Sequence, residues 1–428
     1  MWYFPRLLVI SSLTGLSTCY SGYSVVKPQK SYQPIPSDTL TNTKPSEAVD
    51  DINVLLAALP ESIPNRELLA QSWYSYRQRF IQNDGRVIDY EASDRSTSEG
   101  QAYAMLRAVL IDDPVTFAKT LNWAENNLQR FQEDGTKSDN LWSWKWGRKS
   151  DGRWGAIDSN FASDGDIDAI TALIFASRRW NRPQYLQLAR NKLQDLWNIS
   201  TATGMNGERY LLPGPAKAFV SNESIYLNPS YFAPYAFRIF AQVDPKNDWL
   251  SLVDSSYDVL EKSASLSKVN LPSDWVLLST RTGKFEILPQ SKNIKTLYSF
   301  DAYRVWWRLA LDATWFKSKK AEKYLESSTQ HLQNLWQQKS RISARINLEG
   351  KEVVDYEATS QYAMLYPAMK IVAPKIAEEI LNQKLLSKHK KGIWDDYSAY
   401  YTQNLAWLGI LPSSSVSEKL LKPSKSEL

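Results

Sequence analysis

A helix with an acidic residue at its start is predicted by Ser96-Thr97-Ser98-Glu99-Gly100-Gln101-Ala102-Tyr103-Ala104-Met105-Leu106-Arg107. Apolar side chains recur here at the spacing i, i+3, i+4, i+7 and i+8, which buries one face of a helix. They are Ala102, Met105, Leu106, Val109 and Leu110. The helix therefore begins close to Glu99, and this glutamate is the first candidate for a catalytic residue.

Two interpretations of Glu99 are open from this stretch alone. The spacing Ser96-x-x-Glu99 fits a capping box, in which the glutamate only folds back onto the helix start. A helix N-terminus also favours an ionised carboxylate, whereas a general acid at neutral pH needs burial or a neighbouring carboxylate that favours its protonated form. We therefore expect Glu99 to act as an acid only if the fold supplies such a neighbour.

The composition limits the kinds of chemistry available to the chain. It has 428 residues and a formal net charge of +5, and its scattered Lys and Arg argue against a nucleic-acid partner. The presence of 2 His and 1 Cys excludes a His/Cys zinc centre and disfavours a Ser-His-Asp or Cys-His nucleophile. The 17 Trp and 23 Tyr exceed what core filling explains, because their polar edges need partners when buried. We expect carboxylate chemistry in an aromatic-lined groove, with no metal ion and no cofactor.

Four segments are predicted along the chain. Residues 1–20 contain a short apolar run that is typical of a secretory signal peptide and too short for a comfortable membrane span. Leu16-Ser17-Thr18-Cys19 resembles a bacterial lipoprotein signal, although Thr18 stands where Gly, Ala or Ser is usual, so lipidation at Cys19, plain cleavage and an uncleaved anchor stay open. A Pro/Ser/Thr-rich tether over 21–50, a catalytic domain over 51–412 and a flexible tail over 413–428 follow. We expect an exported monomer, either secreted or associated with the cell envelope.

About twelve helices are predicted from apolar spacing and stop signals. Their starts lie near Arg66, Glu99, Pro114, Asp164, Pro183, Pro229, Asn247, Asp301, Lys319, Thr359, Pro374 and Asp396. A β-hairpin is predicted from residues 274–278 and 284–288, with Gly283 in the turn. The segment 87–92 is echoed by 353–358, as helical hairpins repeated around a ring would be, with chance similarity as the alternative.

Three aspartates at alternate positions open another predicted helix, in Ala162-Ser163-Asp164-Gly165-Asp166-Ile167-Asp168. A calcium loop is excluded, because its sixth position is Ala169 rather than Gly and its twelfth is Phe175 rather than Glu. Capping of the helix start accounts for one aspartate. The other two need a different role.

A second acidic helix start lies in Tyr298-Ser299-Phe300-Asp301-Ala302-Tyr303-Arg304-Val305-Trp306-Trp307-Arg308. Asp301 and Arg304 are three residues apart and share a helix face. One interpretation is a surface ion pair, worth under ~1 kcal/mol. The other is that Arg304 keeps Asp301 ionised, as a catalytic base requires. The two tryptophans that follow favour the second.

Aromatic rings alternate in Trp142-Ser143-Trp144-Lys145-Trp146, and Trp154 follows. In an extended segment the three rings of the first stretch would project on one side. A buried strand edge is one explanation, but it needs partners for three indole N–H groups. We favour a platform on which flat, weakly polar rings of a ligand stack.

Five motifs, taken together and in order, resemble glycoside hydrolase family 8, over about residues 60–412. They are Ser98-Glu99-Gly100-Gln101-Ala102-Tyr103, Ala162-Ser163-Asp164-Gly165-Asp166, Asn228-Pro229-Ser230-Tyr231-Phe232-Ala233-Pro234, Pro272-Ser273-Asp274-Trp275-Val276 and Phe300-Asp301-Ala302-Tyr303-Arg304. The resemblance implies an all-α fold, an (α/α)6 barrel with a groove across one end, and hydrolysis with inversion at the anomeric carbon. The family includes bacterial endoglucanases, xylanases, lichenases and chitosanases.

The resemblance also implies roles for single residues. Glu99 matches the family's proton donor, Asp301 the catalytic base, Arg304 the arginine beside it, and Asp164 the aspartate that holds the sugar at the cleavage point. Two departures are Ala169-Ile170, which reverses the usual order, and Phe300, which stands where Tyr is common. Neither removes a catalytic group. Tyr397, Tyr400 and Tyr401 resemble family tyrosines near the base. Spacing does not choose among them, and we take Tyr400 as the substrate-binding candidate.

The expected mechanism combines these roles. An inverting glycosidase needs one protonated and one ionised carboxyl about 6.5–9.5 Å apart, with room for water beside the base. Glu99 would protonate the glycosidic oxygen, Asp301 would activate water, and Asp164 would favour the protonated form of Glu99 while binding the distorted sugar. The substrate-binding candidates are Arg304, Trp142, Trp144, Trp154, Tyr231, Trp306, Asp166 and Tyr400, with Trp307 as a further ring.

The expected substrate is a β-1,4-linked glucan such as cellulose or a mixed-linkage glucan, on family frequency alone. Xylan and chitosan are the alternatives within the family. A non-catalytic glycan-binding envelope protein is a second class of function, which the intact Glu99, Asp164, Asp301 and Arg304 argue against. Lyase or isomerase chemistry is a third, which the shortage of His disfavours.

Overall fold

The fold is seen in a computed structural model, which describes residues 45–290 and 294–423. Within these residues the chain is mainly helical. The predicted signal segment, Cys19 and most of the predicted tether lie outside them. The helices are α1 (Pro45–Ala58), α2 (Arg66–Phe80), α3 (Ser98–Leu110), α4 (Pro114–Asn127), α5 (Ser163–Trp180), α6 (Pro183–Ile199), α7 (Ala216–Phe219), α8 (Pro234–Val243), α9 (Trp249–Ala264), α10 (Tyr303–Phe316), α11 (Lys319–Ser328), α12 (Gln330–Lys339), α13 (Thr359–Val372), α14 (Pro374–Ile380), α15 (Tyr400–Ile410) and α16 (Glu418–Leu421).

Six helices form a closed inner ring in the order α3, α5, α8, α10, α13 and α15, and α15 packs back on α3. An outer helix packs on each inner one: α4 on α3, α6 on α5, α9 on α8, α11 on α10, α14 on α13 and α2 on α15. This arrangement is an (α/α)6 barrel, as predicted.

The inner helices are buried on nearly every side. Helix α5 is buried from Ser163 to Arg178, and α3 buries Gln101 and Arg107 as well as its apolar residues. The one-sided apolar face predicted for α3 therefore understated its burial, because a helix inside a ring has no solvent side. Where α13 and α15 meet, a Cβ atom on Gly409 would lie 2.0 Å from the carbonyl oxygen of Ala363, so only glycine permits this close approach.

Short strands line the ends of the barrel. They are β1 (Ser96–Thr97), β2 (Gln129–Phe131), β3 (Lys137–Trp142), β4 (Lys145–Arg148), β5 (Trp154–Asp158), β6 (Thr201–Thr203), β7 (Arg209–Leu211), β8 (Ser224–Leu227), β9 (Val276–Ser279), β10 (Phe285–Glu286), β11 (His389–Lys390) and β12 (Ile393–Trp394). Two sheets have three strands, in the orders β1-β4-β5 and β10-β9-β8, and all pairings are antiparallel. The predicted hairpin is confirmed as β9–β10, with Phe285 opposite Leu278 and Gly283 at φ +65°. The other sheets were not predicted.

Most predicted helix starts lie within three residues of the observed ones. Pro229 instead begins a 3₁₀ turn, Pro229–Tyr231, and the helix follows at Pro234. Helix α15 begins at Tyr400 rather than near Asp396. The predicted helix from Lys319 is divided at Thr329, so that α12 is a separate helix.

Both predicted flexible boundaries were placed wrongly where the structure describes them. Helix α1 begins at Pro45, inside the predicted tether over 21–50. Beyond Pro412, α16 packs on α5, where Arg178 Nη1 donates to the Leu420 carbonyl at 2.7 Å. Leu420 and Leu421 are buried, and burial of two leucines offsets much of the entropy of ordering so short a segment. Residues 424–428 lie outside the described part of the chain.

Among residues 45–290 and 294–423, no helix combines the length and the apolar character needed to cross a lipid bilayer.

Candidate active site

The N-terminal ends of the inner helices meet at one end of the barrel. Glu99 opens α3, Asp164 opens α5, Tyr231 precedes α8, Asp301 precedes α10 and Tyr400 opens α15. Residues that are far apart in sequence therefore converge here, and the strand pairs β1–β4 and β8–β9 border the same end.

Glu99 points its carboxylate into this site. The cap of α3 is Thr97, whose hydroxyl accepts from the Gly100 N–H at 3.0 Å, while Ser96 instead donates to the carbonyl of Val87. The Ser96–Glu99 capping box is therefore wrong. Glu99 Oε1 accepts from the Tyr400 hydroxyl at 3.1 Å, and its side chain stays 19% exposed.

Arg304 joins three carboxylates. Its Nη1 lies 2.9 Å from Glu99 Oε2 and 2.5 Å from Asp164 Oδ2, and its Nη2 lies 3.2 Å from Asp301 Oδ1. Nη2 also donates to the Ser230 hydroxyl at 3.1 Å. Burial by itself lowers the pKa of Arg304, but the surrounding tyrosines and carboxylates outweigh burial and raise it, so the guanidinium stays charged. The surface ion-pair interpretation is wrong, because Arg304 is only 1% exposed.

Asp301 lies in a turn just before α10 begins. Its Oδ1 contacts Arg304, while its Oδ2 accepts from Trp275 Nε1 at 3.2 Å and from Asn228 Nδ2 at 3.3 Å. The side chain is 17% exposed. Three donors around an ionised carboxylate stabilise that form, and the partial exposure leaves access from the groove.

Asp164 is less accessible than the other two carboxylates. Its side chain is 4% exposed and lies against Arg304, while its Oδ1 accepts from the Gly165 N–H at 2.9 Å. A Cβ atom on Gly165 would come within 2.9 Å of the Glu99 backbone nitrogen. The glycine thus lets the starts of α3 and α5 touch, which brings Asp164 beside Glu99.

The two other aspartates of this helix have structural roles. Asp168 pairs in a bidentate manner with Arg308 at 2.9 and 3.0 Å, and both are buried. Asp166 accepts from the Trp142 backbone N–H at 3.2 Å, and its Oδ2 is buried without a hydrogen-bond partner. The prediction that Asp166 binds substrate is wrong, because its side chain is buried in the protein against strand β3.

Replacement of Asp166 by Asn is expected to change stability in a pH-dependent way. Burial raises the pKa of Asp166 from 3.8 to about 7. A carboxyl whose pKa is raised by folding contributes stability that is complete below its unfolded pKa and lost as the pH rises through its folded pKa. Asp166→Asn should therefore raise the free energy of unfolding at pH 8 by up to about 4 kcal/mol, measured by urea unfolding, with no gain at pH 4. Equal differences at both pH values would contradict this.

Several tryptophans assigned to the groove lie in the core instead. Trp142 is 1% exposed and its Nε1 donates to Glu125 at 2.9 Å. Trp306 is 0% exposed and donates to the Tyr298 hydroxyl at 3.0 Å, and Trp307 is buried as well. The prediction that Trp142 and Trp306 bind substrate is wrong, because alternate spacing does not reveal that a sheet edge or an inner helix is covered on both sides.

Of the four other predicted aromatic residues, three are partly exposed and the fourth contacts Glu99. Trp144 is partly exposed, and its carbonyl accepts from the Ser98 N–H at 3.1 Å, directly before Glu99. Trp154 is partly exposed and stacks on Trp146 with ring centroids 5.1 Å apart. Tyr231 is partly exposed below the Arg304 guanidinium. Tyr400 is buried and contacts Glu99 itself, so it acts on the candidate acid rather than as an exposed platform.

The sequence analysis gave no role to Asn228, Ser230, Asp274 or Trp275. All four are in motifs quoted above, and each bonds to Asp301, to Arg304 or to the backbone beside Asp301. The sequence did contain a signal for such residues, because polar groups stand within motifs that are rich in apolar side chains.

Comparisons with known proteins agree with this arrangement. The sequence profile of glycosyl hydrolases family 8 matches residues 51–414. An endoglucanase of Xanthomonas axonopodis pv. citri (strain 306) is 37% identical over 267 residues, which is 60% of this chain and 66% of that protein. The matched regions of the first curated relatives span 58–66% of their lengths.

Solved structures resemble the whole barrel. Endoglucanase Cel10 of Klebsiella pneumoniae, a family 8 glycosyl hydrolase, has a TM-score of 0.62 at 28% identity, covering 79% of this chain and 98% of that one. A cold-adapted family 8 xylanase has a TM-score of 0.66 at 18% identity, covering 81% and 91%, which is a likeness of fold. Since the family profile matches most of the chain, and the fold and the site agree with it, this chain belongs to family 8 of the glycosyl hydrolases.

Proposed function

We propose that this protein is an endo-acting glycoside hydrolase that cleaves β-1,4-linked glucan with inversion at the anomeric carbon. The observation that carries the proposal is the pair Glu99 and Asp301, which are both partly exposed and bind different nitrogens of one guanidinium. They are thus held near each other but apart, as an acid and a base with a water between them must be.

Charge balance supports an acid role for Glu99. Arg304 supplies one positive charge to three carboxylates, those of Glu99, Asp164 and Asp301. Like charges this close disfavour ionisation of all three groups at once. A proton on Glu99 relieves the excess, and Glu99 then donates it to the glycosidic oxygen. Asp301, with three donors around it, stays ionised and takes a proton from the attacking water.

The assignment of substrate rests on the relatives. The curated relatives above are endoglucanases, which favours a β-glucan, and the partly exposed rings of Trp144, Trp154 and Tyr231 suit flat sugar faces. The fold is shared with a family 8 xylanase, so xylan is the second candidate. We further propose that the chain works as an exported monomer at the cell envelope, and intact-mass analysis of membrane fractions for a lipid on Cys19 tests the anchor.

The test is release of reducing ends from a soluble cellulose derivative, mixed-linkage glucan, xylan and chitosan. We expect release from the glucans, a fast fall in viscosity that marks internal cleavage, and an inverted anomer as first product by NMR. Glu99→Gln is the blank. Release from xylan or chitosan alone would reassign the substrate, and binding without release would favour a non-catalytic glycan-binding protein.

A further inference from the structure

A small sheet beside the barrel carries a hydrophobic cluster of its own. Strands β8, β9 and β10 form this sheet. The cluster is separate from the main core and consists of Phe219, Trp275, Leu277, Leu288 and Ile294. Trp275 directly precedes β9 and stacks on Phe219, with ring centroids 6.0 Å apart and planes 13° apart. The sheet belongs to neither the inner nor the outer ring of helices.

Two consecutive residues directly before β9 contact the candidate base, one at its side chain and the other at the neighbouring backbone. Trp275 Nε1 donates to Asp301 Oδ2 at 3.2 Å. Asp274 Oδ1 accepts from the backbone N–H of Ala302, the residue after Asp301, at 2.9 Å. Asp274 is itself fixed by its N–H, which donates to the Leu297 carbonyl at 2.8 Å. One contact holds the carboxylate and the other holds the main chain beneath it.

We propose that Asp274 and Trp275 are positioning residues of Asp301: the Trp275 N–H orients the carboxylate of the base and lowers its proton affinity, and Asp274 holds the main chain beside it. This inference rests on the proposed function, in which Asp301 activates water. Asp301 lies in a turn before the first residue of α10, and a turn holds its side chain less firmly than a helix does. Asp274 and Trp275, which precede β9, supply an additional restraint on the side chain and backbone of Asp301.

The surroundings of Asp274 fit a positioning role. Burial raises the pKa of Asp274 well above its usual range, and the charge of Asp301 adds to the rise. The neutral form, which this shift favours, can accept from Ala302 through its carbonyl oxygen and adds no second negative charge beside the base.

Other charged or titratable groups also face Asp301. Its pH dependence must be interpreted against these groups. They are Arg304 on α10, Glu99 and Asp164 across Arg304, Tyr231 before α8, and Asp274 with Arg345 next to it.

The test is the Trp275→Phe variant, which keeps an aromatic ring against Phe219 but removes the N–H donor. A donor to the ionised carboxylate lowers its proton affinity, so its loss should raise the pH at which Asp301 titrates. We expect the acidic limb of the kcat/KM profile to move up by about 0.5–1 pH unit. We also expect kcat to fall roughly tenfold to a hundredfold with little change in KM, because a misplaced base slows the chemical step.

A matched control separates positioning from simple support. Phe219→Leu removes the stacked ring but keeps the Trp275 N–H, so it should lower the thermal stability and leave the acidic limb in place. For Asp274, the Asn variant keeps an acceptor for Ala302 and Ala does not. Asp274→Asn should therefore rescue most of the kcat that Asp274→Ala loses.

A measurement that does not depend on catalysis separates failure of this inference from failure of the proposed function. In protein labelled with ¹³C at aspartate Cγ, with the Asp301 signal assigned by Asp301→Asn, the Asp301 titration should move to higher pH in Trp275→Phe and not in Phe219→Leu. Equal Asp301 titrations in wild type and Trp275→Phe would overturn the inference, whether or not the enzyme turns over. Absence of hydrolysis by the wild type, with the titration shift present, would instead overturn the proposed function.

Discussion

The Glu99→Gln variant is expected to hydrolyse β-glucan about 10²–10⁴ times more slowly than the wild type. Glutamine has the shape of glutamate and its amide oxygen can still accept from the Tyr400 hydroxyl, which lies 3.1 Å from Glu99 Oε1. It has no acidic proton for the leaving oxygen. Steady-state kinetics on purified variant, with matched thermal stability, measures the loss.

A second substrate with a better leaving group tests this prediction more strictly. An aryl glycoside whose phenol leaves without protonation should recover much of the rate in Glu99→Gln, because the acid is then not needed. In Asp301→Asn the rate should stay low on both substrates, because activation of water is lost in either case. Equal losses in both variants on both substrates would contradict the assignment of acid and base.

Replacement of Arg304 by Met is expected to destabilise the fold by about 3–5 kcal/mol near pH 7. The change leaves Glu99, Asp164 and Asp301 without their shared cation, and repulsion between carboxylates grows as they ionise. The deficit should therefore be smaller at pH 4 than at pH 7. Urea unfolding at both pH values measures it, and kcat should fall by more than about 10² because the proposed acid and base both lose their support.

Arg308→Met is the matched control for Arg304→Met. Arg308 is also buried on α10, but it pairs with Asp168 and has no ion pair with Glu99 or Asp301 among the described residues. Its loss should cost comparable stability, while the folded enzyme keeps most of its kcat. If Arg308→Met abolished activity as fully as Arg304→Met at a temperature where both are folded, the special role of Arg304 would be refuted.

The successes of the sequence analysis come from features that are local in the chain. The helix starts near Glu99, Asp164 and Asp301 were predicted correctly, because each begins an apolar-periodic segment and helix starts depend on neighbouring residues. The β9–β10 hairpin was predicted from two apolar runs around Gly283. The six-helix ring itself came from resemblance to a family rather than from periodicity.

The errors come from features that depend on distant parts of the chain. Trp142 and Trp306 looked like platform rings because spacing does not tell whether both sides of a segment are covered. Asp166 stood beside Asp164 in sequence, yet a two-residue step on a helix turns its side chain away from the site. The segment after Pro412 looked mobile because its two leucines find their contacts only on α5.

By itself, the sequence determined where most of the inner helices start, because capping and periodicity act over a few residues, and its composition indicated carboxylate chemistry. Only the tertiary structure decided that Arg304 holds three carboxylates from three segments, and that Trp275 and Asn228 hold Asp301. These contacts join residues up to 205 positions apart. Closure of the ring brings them together, and no local pattern encodes such a distance.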